Sequence, residues 1–548
     1  MKVLGVHIGH DSAAALVDDG SVIADVAEER FNRRKHSHAL PFASIRYCLS
    51  AAGLSADAVD VIAVSSKKHP PGFDFLCGFQ PAETARFAAA GIRPPVYVEP
   101  FRLSTSVETV RVQHHLAHAA SAYYTCGSSS RQLIVTLDGS GDGVSVGVWR
   151  GERGRITPLM LLPRNASLGY FYSLVTEALG WWHGDGEGKT MGLAPYGHSD
   201  RVRGVLDRFC PQYSAGTCVE PHDFGGVHYW IESGSREFHK VEAAEVRELV
   251  RRYGAADVAA EAQRVLEEQT LRLVLPWLDK EDTCRLCCAG GVFLNVKLNQ
   301  RVWESGRLET QHVFPAAGDS GLAVGAALHA YHNMVGIEVP GTIETVYLGP
   351  EYSDEQIERL LKERSLPVKK LEDAAGHAAR AMSDNRVVGW FQGRMESGPR
   401  ALGNRSILMS PLKAGNKAVL NERVKFREPF RPYCPSIPHE RSHTYLKNPR
   451  AEEFMLTTFN VCDGKAERIP AVVHADGTLR PQTLHQARNP KFWRLIDEFG
   501  ARTGEYAVLN TSLNRMGEPM VEHPSQAIRC FYDSGIENLY LGNFLLTK

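Results

Sequence analysis

At 548 residues the chain is longer than one hydrophobic core supports, which calls for at least two domains. Its 43% hydrophobic and 23% charged residues, with a formal net charge of -1, are those of an ordinary folded protein. Disorder, fibrous repeats and the basic excess of a nucleic-acid binder are disfavoured.

Residues 3–8 read as an apolar strand entering Gly9-His10-Asp11-Ser12, and a second strand, 13–17, follows. Asp18-Asp19-Gly20 then turns the chain into a third, 22–27. The amino terminus carries neither a basic n-region nor a cleavage site. No apolar run reaches bilayer length, the small-residue cluster 87–91 included, so a cytoplasmic protein without a membrane partner is expected. Residues 28–36 mix acids and bases; most read as solvated, with Lys35 or Arg30 able to face an anion. Residues 113–124 read as a small-residue helix that puts His114 and His118 on one face at i, i+4.

The opening pattern then recurs. Residues 133–137 form a strand, Asp138-Gly139-Ser140-Gly141-Asp142-Gly143 a tight loop, 144–149 a strand, and 150–154 a turn into another. Two such loops face each other in actin-like and sugar-kinase-like ATPases, where glycine lets backbone N–H groups approach phosphates. One loop alone reads as a chance hairpin; the pair does not.

Further on, 255–279 has the spacing of a long helix, and 284–289 reads as a strand running into Gly290-Gly291. Cys284-Arg285-Leu286-Cys287-Cys288 lacks the second pair a zinc site needs, and eleven cysteines, an odd number, suit reduced thiols. Gly318-Asp319-Ser320-Gly321 precedes a helix at 322–332, where Asp319 reads as a plain N-cap or as a presented carboxylate. The stretch 338–349 reads as a connection, and Ser353 opens a new helix in capping style. The domains expected are therefore 1–345 and 346–548. The second is an α/β or α+β unit with helices at 354–364 and 416–423 and strands at 387–391 and 507–509.

Imidazoles one helical turn apart suit zinc or ferrous iron, and Asp138 and Asp319 are the carboxylates best placed to complete such a site. His10, at a strand end beside Asp11, is the candidate general base, against the plainer reading of a loop histidine bonded to backbone. Residues 386–431 hold ten Lys or Arg against three Glu in a chain of net charge -1. Arg394, Arg400 and Arg405 there are interleaved with Gly and Pro, and Lys425, Arg427 and Arg431 follow. That pattern favours a pocket for a small phosphorylated ligand over a solvated face.

Taken together the motifs resemble the carbamoyltransferases related to the nodulation protein NodU and the tobramycin enzyme TobZ, over essentially the whole chain. The matching segments include 9–14, 28–31, 114–119, 188–197, 318–321, 398–407, 424–432, 476–480 and 509–514. The resemblance implies an α/β fold in which a duplicated ASKHA-type (actin-like ATPase) domain precedes a YrdC-like domain. It implies that carbamoyl phosphate and ATP with Mg2+ give carbamoyladenylate in the YrdC-like pocket, bound at Arg400, Lys425, Arg431, Arg480, Asn510 and Ser512. It further implies transfer in the first domain, where Fe(II) or another divalent metal is held by His114, His118, Asp138 and Asp319, with His10 and Lys35 catalytic. The nucleotide contacts fall at Gly139, Gly141, Asp142, Lys189, Gly290, Gly291 and Asn295. Ser410-Pro411-Leu412, Cys434 and Leu513 depart from the family pattern without removing a proposed ligand.

A tRNA threonylcarbamoyl-adenosine-type enzyme is the alternative, and the charge balance argues against its RNA partner. A hydrogenase-maturation carbamoyltransferase needs zinc-finger and acylphosphatase segments, which the sequence does not show. A non-catalytic nucleotide-binding scaffold leaves His114, His118 and the arginine motif unexplained. The expected partner is a small hydroxyl acceptor, an antibiotic or other natural product, recognised by loops such as 67–100 and 225–236. A homodimer is the expected assembly.

Overall fold

The computed structural model describes residues 1–55, 58–65, 107–224 and 240–548. The acceptor loops expected at 67–100 and 225–236 lie outside the described residues. Strands β1 (Lys2–His7), β2 (Ala13–Asp18) and β3 (Ser21–Ala27) form an antiparallel meander. Strands β4 (Val61–Val64) and β5 (Glu108–Arg111) extend it in parallel on the other side of β1, giving the order 3-2-1-4-5. The second sheet repeats this plan. Its meander is β6 (Gln132–Gly141), β7 (Val144–Glu152) and β8 (Arg155–Pro163). After a small hairpin, β9 (Gln212–Ser214) and β10 (Thr217–Glu220), strands β11 (Arg285–Ala289) and β12 (Thr310–Val313) add in parallel beside β6. The duplication read from two loops is thus a duplication of whole sheets.

Between the sheets lie the helices His114–Tyr123 and Leu322–Val335. They approach closely because glycine stands at each contact. A Cβ on Gly5 of β1 would meet Ala323 O at 1.9 Å, and one on Gly325 would meet Ala117 O at 1.8 Å. The first helix is held at its N-terminus by side chains: Gln113 accepts from Leu116 N–H and Asp142 from His114 N–H.

The carboxy-terminal part is an eight-stranded mixed sheet ordered 13-22-21-14-15-20-16-19. Its strands are β13 (Lys369–Lys370), β14 (Val388–Phe391), β15 (Arg405–Met409), β16 (Cys434–Pro438), β19 (Gln482–Leu484), β20 (Val508–Ser512), β21 (Asn538–Leu541) and β22 (Phe544–Thr547), while β17 (Phe459–Asn460) and β18 (Thr478–Leu479) pair separately. Both faces are covered. Trp390, Leu408, Val508 and Tyr540 pack on the helices Ala374–Ser383 and Pro490–Thr503, and Phe391, Ile407, Leu509 and Leu539 pack on the other side, so neighbouring residues alternate between two cores.

Three details differ from the sequence expectations. Asp138 lies inside β6, whose pairing with β7 shifts register between Leu137 and Gly141, so the expected loop is a bulge in a longer strand. The expected helix 416–423 stops at Leu420 and passes into a π-helical turn, Asn421–Lys425, that ends at Phe426 in the left-handed region. Arg394 and Arg405 are not pocket cations. Arg405 is fully buried and bonds the carbonyls of Pro350, Gln392, Gly393 and Asn404, while Arg394 ties Leu348 O and Ile23 O.

The two parts dock through such arginine-to-carbonyl contacts, Arg30 to Gly398 O at 2.9 Å and Arg33 to Met520 O at 2.7 Å among them. At this seam Asp25 of β3 is 4% exposed and accepts from Ser397 Oγ. Burial pushes its carboxyl up to about 7 from 3.8. The folded chain then keeps a proton that the unfolded chain has lost, so stability falls as pH rises from about 4 to 7, by up to ~4 kcal/mol, and is level above. Asp25→Asn is expected to raise the melting temperature at about pH 8 and to lose that advantage near pH 4, as scanning calorimetry at both values checks.

Candidate active site

His114 and His118 present their rings from one side of their helix, β6 presents Asp138 from its bulge, and Asp319 stands at the start of the 310 turn Asp319–Gly321. One ligand atom from each of the four lies within 4.8 Å of all the others. His114 Nε2 is 3.2 Å from Asp138 Oδ2 and 3.6 Å from Asp319 Oδ1, and His118 Nε2 is 3.4 Å from Asp319 Oδ1. His118 is 1% exposed and neither ring nitrogen has a hydrogen-bond partner among the described residues. Burial disfavours its charged form, yet the adjacent carboxylates of Asp138 and Asp319 raise its pKa to about 9. A buried carboxylate, Asp319, and a half-buried one, Asp138, facing two imidazoles call for a cation, and the donor set fits a borderline divalent metal. The neighbouring His115 is spent on structure, bonded to Thr136 Oγ1 and Val144 O.

His10 stands at the rim of this cluster. Its Nε2 is 3.2 Å from Asp319 Oδ2 and its Nδ1 is 3.0 Å from Asp11 Oδ2, while its carbonyl meets His7 Nε2. Lys35 pairs with Asp185 at 2.6 Å. His7, Asp11, His36 and Asp185 were not singled out from sequence; His10-Asp11 and Lys35-His36 as dipeptides were the only signal.

The seven nucleotide candidates divide. Gly139, Gly290 and Gly291 meet at Asp138: Gly291 N–H donates to Asp138 Oδ1 at 3.3 Å, Ser167 Oγ donates to Gly139 O, and a Cβ on Gly290 would meet Leu137 O at 2.2 Å. Gly141 lies on the His114 ring, where a Cβ would come within 2.1 Å. Asp142 and Asn295 hold helix N-termini, Asn295 also pairing with Gln263. Lys189 turns to the other sheet unit and pairs with Glu428 at 2.8 Å.

The second constellation lies on the carboxy-terminal sheet. Glu396 Oε1 accepts from the backbone N–H groups of Leu402, Asn404 and Arg405, which folds the loop carrying Arg400. Arg400 Nε is buried without a partner among the described residues. Burial first, then Arg480 and Arg431, lower the Arg400 pKa to about 9. An Asx turn at Asp476 presents Arg480, whose Nε donates to Cys434 Sγ at 2.9 Å. Lys425 is held by Ser512 O at 2.7 Å and Asn514 Oδ1 at 2.6 Å, and Ser512 Oγ also bonds Asn514. Asn510 donates to Ser436 Oγ and leaves a buried, unpartnered Oδ1. Converging guanidinium groups beside an open amide oxygen form an anion cradle.

The chain is similar to known proteins over both of its parts. The family model described as carbamoyltransferase N-terminus matches residues 2–71 and 96–328, and that described as carbamoyltransferase C-terminus matches 379–548. Nodulation protein NolNO of Sinorhizobium fredii is 36% identical over 98% of this chain and 79% of its own length. The 3'-hydroxymethylcephem-O-carbamoyltransferase of Streptomyces clavuligerus is 27% identical over 99% of this chain and 98% of its own. Among solved structures, the activator of 2-hydroxyisocaproyl-CoA dehydratase from Clostridium difficile with bound ADPNP aligns at 12% identity and a TM-score of 0.34, over 61% of this chain and 96% of its own. With family models matching 2–71, 96–328 and 379–548 and a nodulation protein 36% identical over nearly the whole length of this chain, the chain belongs to the carbamoyltransferase family of enzymes.

Proposed function

We propose that the chain is an ATP-dependent O-carbamoyltransferase: residues 346–548 make carbamoyladenylate and residues 1–345 pass its carbamoyl group to a hydroxyl of a small molecule, an antibiotic or other natural product. The observation that carries this reading is the pairing of an arginine cradle on one unit, in which Arg400 Nε is buried without a partner among the described residues, with a His2Asp2 cluster beside His10 on the other.

In the first step carbamoyl phosphate loses phosphate to water and leaves carbamate. A carbamate oxygen then attacks the α-phosphorus of MgATP and expels pyrophosphate. Arg400, Arg431 and Arg480 supply donors to the phosphate oxygens, and Lys425, fixed by Ser512 and Asn514, adds positive potential. Asn510 Oδ1 accepts from the carbamoyl amide. In the second step Gly139, Gly290 and Gly291 let the adenylate phosphate approach the backbone. His10 Nε2 takes the acceptor hydroxyl proton as that oxygen attacks the carbamoyl carbon and AMP departs. His114, His118, Asp138 and Asp319 would hold an iron(II) or similar divalent ion, which would supply Lewis-acid stabilisation of developing charge.

The test is incubation with carbamoyl phosphate, MgATP and a panel of alcohols, followed by mass spectrometry. A carbamate ester formed only with ATP, together with AMP, is expected; ester formed equally well without ATP sinks the reading.

A further inference from the structure

Two non-glycine residues near His10 adopt the left-handed backbone conformation: Asp11 at φ 59° and His36 at φ 52°. Strained backbone of this kind persists where the surroundings over-determine it. Here the two strained residues face each other. His36 Nδ1 lies 2.8 Å from Asp11 Oδ1, while the other oxygen of the same carboxylate, Oδ2, lies 3.0 Å from His10 Nδ1. The far side of the His36 ring meets Asp185, Nε2 to Oδ1 at 3.6 Å, and Lys35 holds that same oxygen at 2.6 Å. The His36 backbone N–H is bound to Glu29 Oε2 at 2.9 Å. A chain of side chains thus runs His10–Asp11–His36–Asp185–Lys35, anchored through the His36 backbone N–H.

We infer that His36, set between Asp11 and Asp185, is a positioning residue for carbamoyl transfer: it fixes the Asp11 carboxylate so that Asp11 holds His10 Nδ1–H and keeps His10 Nε2 directed at the Asp319 side of the cluster, where transfer is proposed to occur. This rests on the reading of His10 as the base that takes the hydroxyl proton. Burial disfavours a charged His36, but Asp11, then Asp185 and Glu29, outweigh it and hold the imidazole well above its usual range. Asp11 is correspondingly held far below the usual carboxylate range, its burial overcome by His36 and His10. The couple is therefore an ion pair through the neutral pH range, and it keeps Asp11 an acceptor only. Of the Lys35-His36 dipeptide, the histidine acts on the base and the lysine anchors Asp185.

The test uses the full chain and the alcohol that the mass-spectrometric panel identifies. His36→Gly keeps the left-handed backbone that glycine adopts freely and removes only the ring. It is expected to lower kcat of transfer about 10²-fold with the acceptor KM unchanged, the size of effect seen when a group that orients an active-site histidine is lost. Exogenous imidazole should restore activity at least about tenfold by refilling the slot, and His36→Ala should be the worse variant because its Cβ opposes the backbone angle. Asp185→Asn, on a half-exposed side chain, removes only the outer anchor and should cost about tenfold in kcat without altering the melting temperature. Wild-type transfer by His36→Gly, or a folded variant that imidazole does not rescue, overturns the inference. Failure of the function reading shows separately, as absent ATP-dependent transfer in the wild type. In that event 15N spectra of histidine-labelled protein still decide the geometry. Loss of the His10 Nδ1–H signal in His36→Gly supports it, and an unchanged signal refutes it.

Discussion

His114→Ala is expected to lose carbamoyl transfer by on the order of 10³-fold while pyrophosphate release from ATP continues. The ring stands 3.2 Å from Asp138 and 3.6 Å from Asp319, so its removal leaves two carboxylates and one imidazole where four donors converged. Every group assigned to adenylate formation lies on the other sheet unit, and Lys189 with Glu428 and Lys297 with Asp476 link the two across their seam. Elemental analysis of the purified variant should show loss of bound metal alongside loss of transfer. Parallel loss of both half-reactions would place the cluster in the wrong step.

Arg400→Ala has the opposite expected signature. Pyrophosphate formation should fall by about 10² to 10³-fold, the cost of roughly 3 to 4 kcal/mol that accompanies loss of a preorganised donor to charge developing in the transition state. Arg400→Lys should recover little, because a point charge on a flexible stem does not reproduce a guanidinium fork held by the Glu396 loop. Metal content should stay at the wild-type level. Initial rates of pyrophosphate release, coupled to a pyrophosphatase, measure both variants.

The contrast among the arginines shows where sequence reading stops. Arg394, Arg400 and Arg405 look equivalent in a glycine-rich basic run. Which of them stays open for a ligand depends on carbonyls brought from residues 23, 348, 350 and 392, and local patterning does not encode those approaches. The repeat was legible because its turns need Gly and Asp at fixed places, and the His114/His118 spacing because a helix sets it. Asp138 and Asp319 were legible as partners of these histidines because each sits in a Gly-flanked stretch, and the family pattern pointed the same way, whereas the bulge that presents Asp138 is a pairing irregularity with no local signature. The Asp11–His36 couple spans 25 residues and two strained backbone positions, so only the folded chain reveals it.

The most direct measurement follows the phosphorus. With carbamoyl phosphate and MgATP but no acceptor, 31P NMR should show AMP, pyrophosphate and orthophosphate appearing together, dependent on carbamoyl phosphate, lost in Arg400→Ala and retained in His114→Ala. ATP converted to ADP, or left untouched while an alcohol is carbamoylated, would contradict a mixed anhydride made on one sheet unit and consumed on the other.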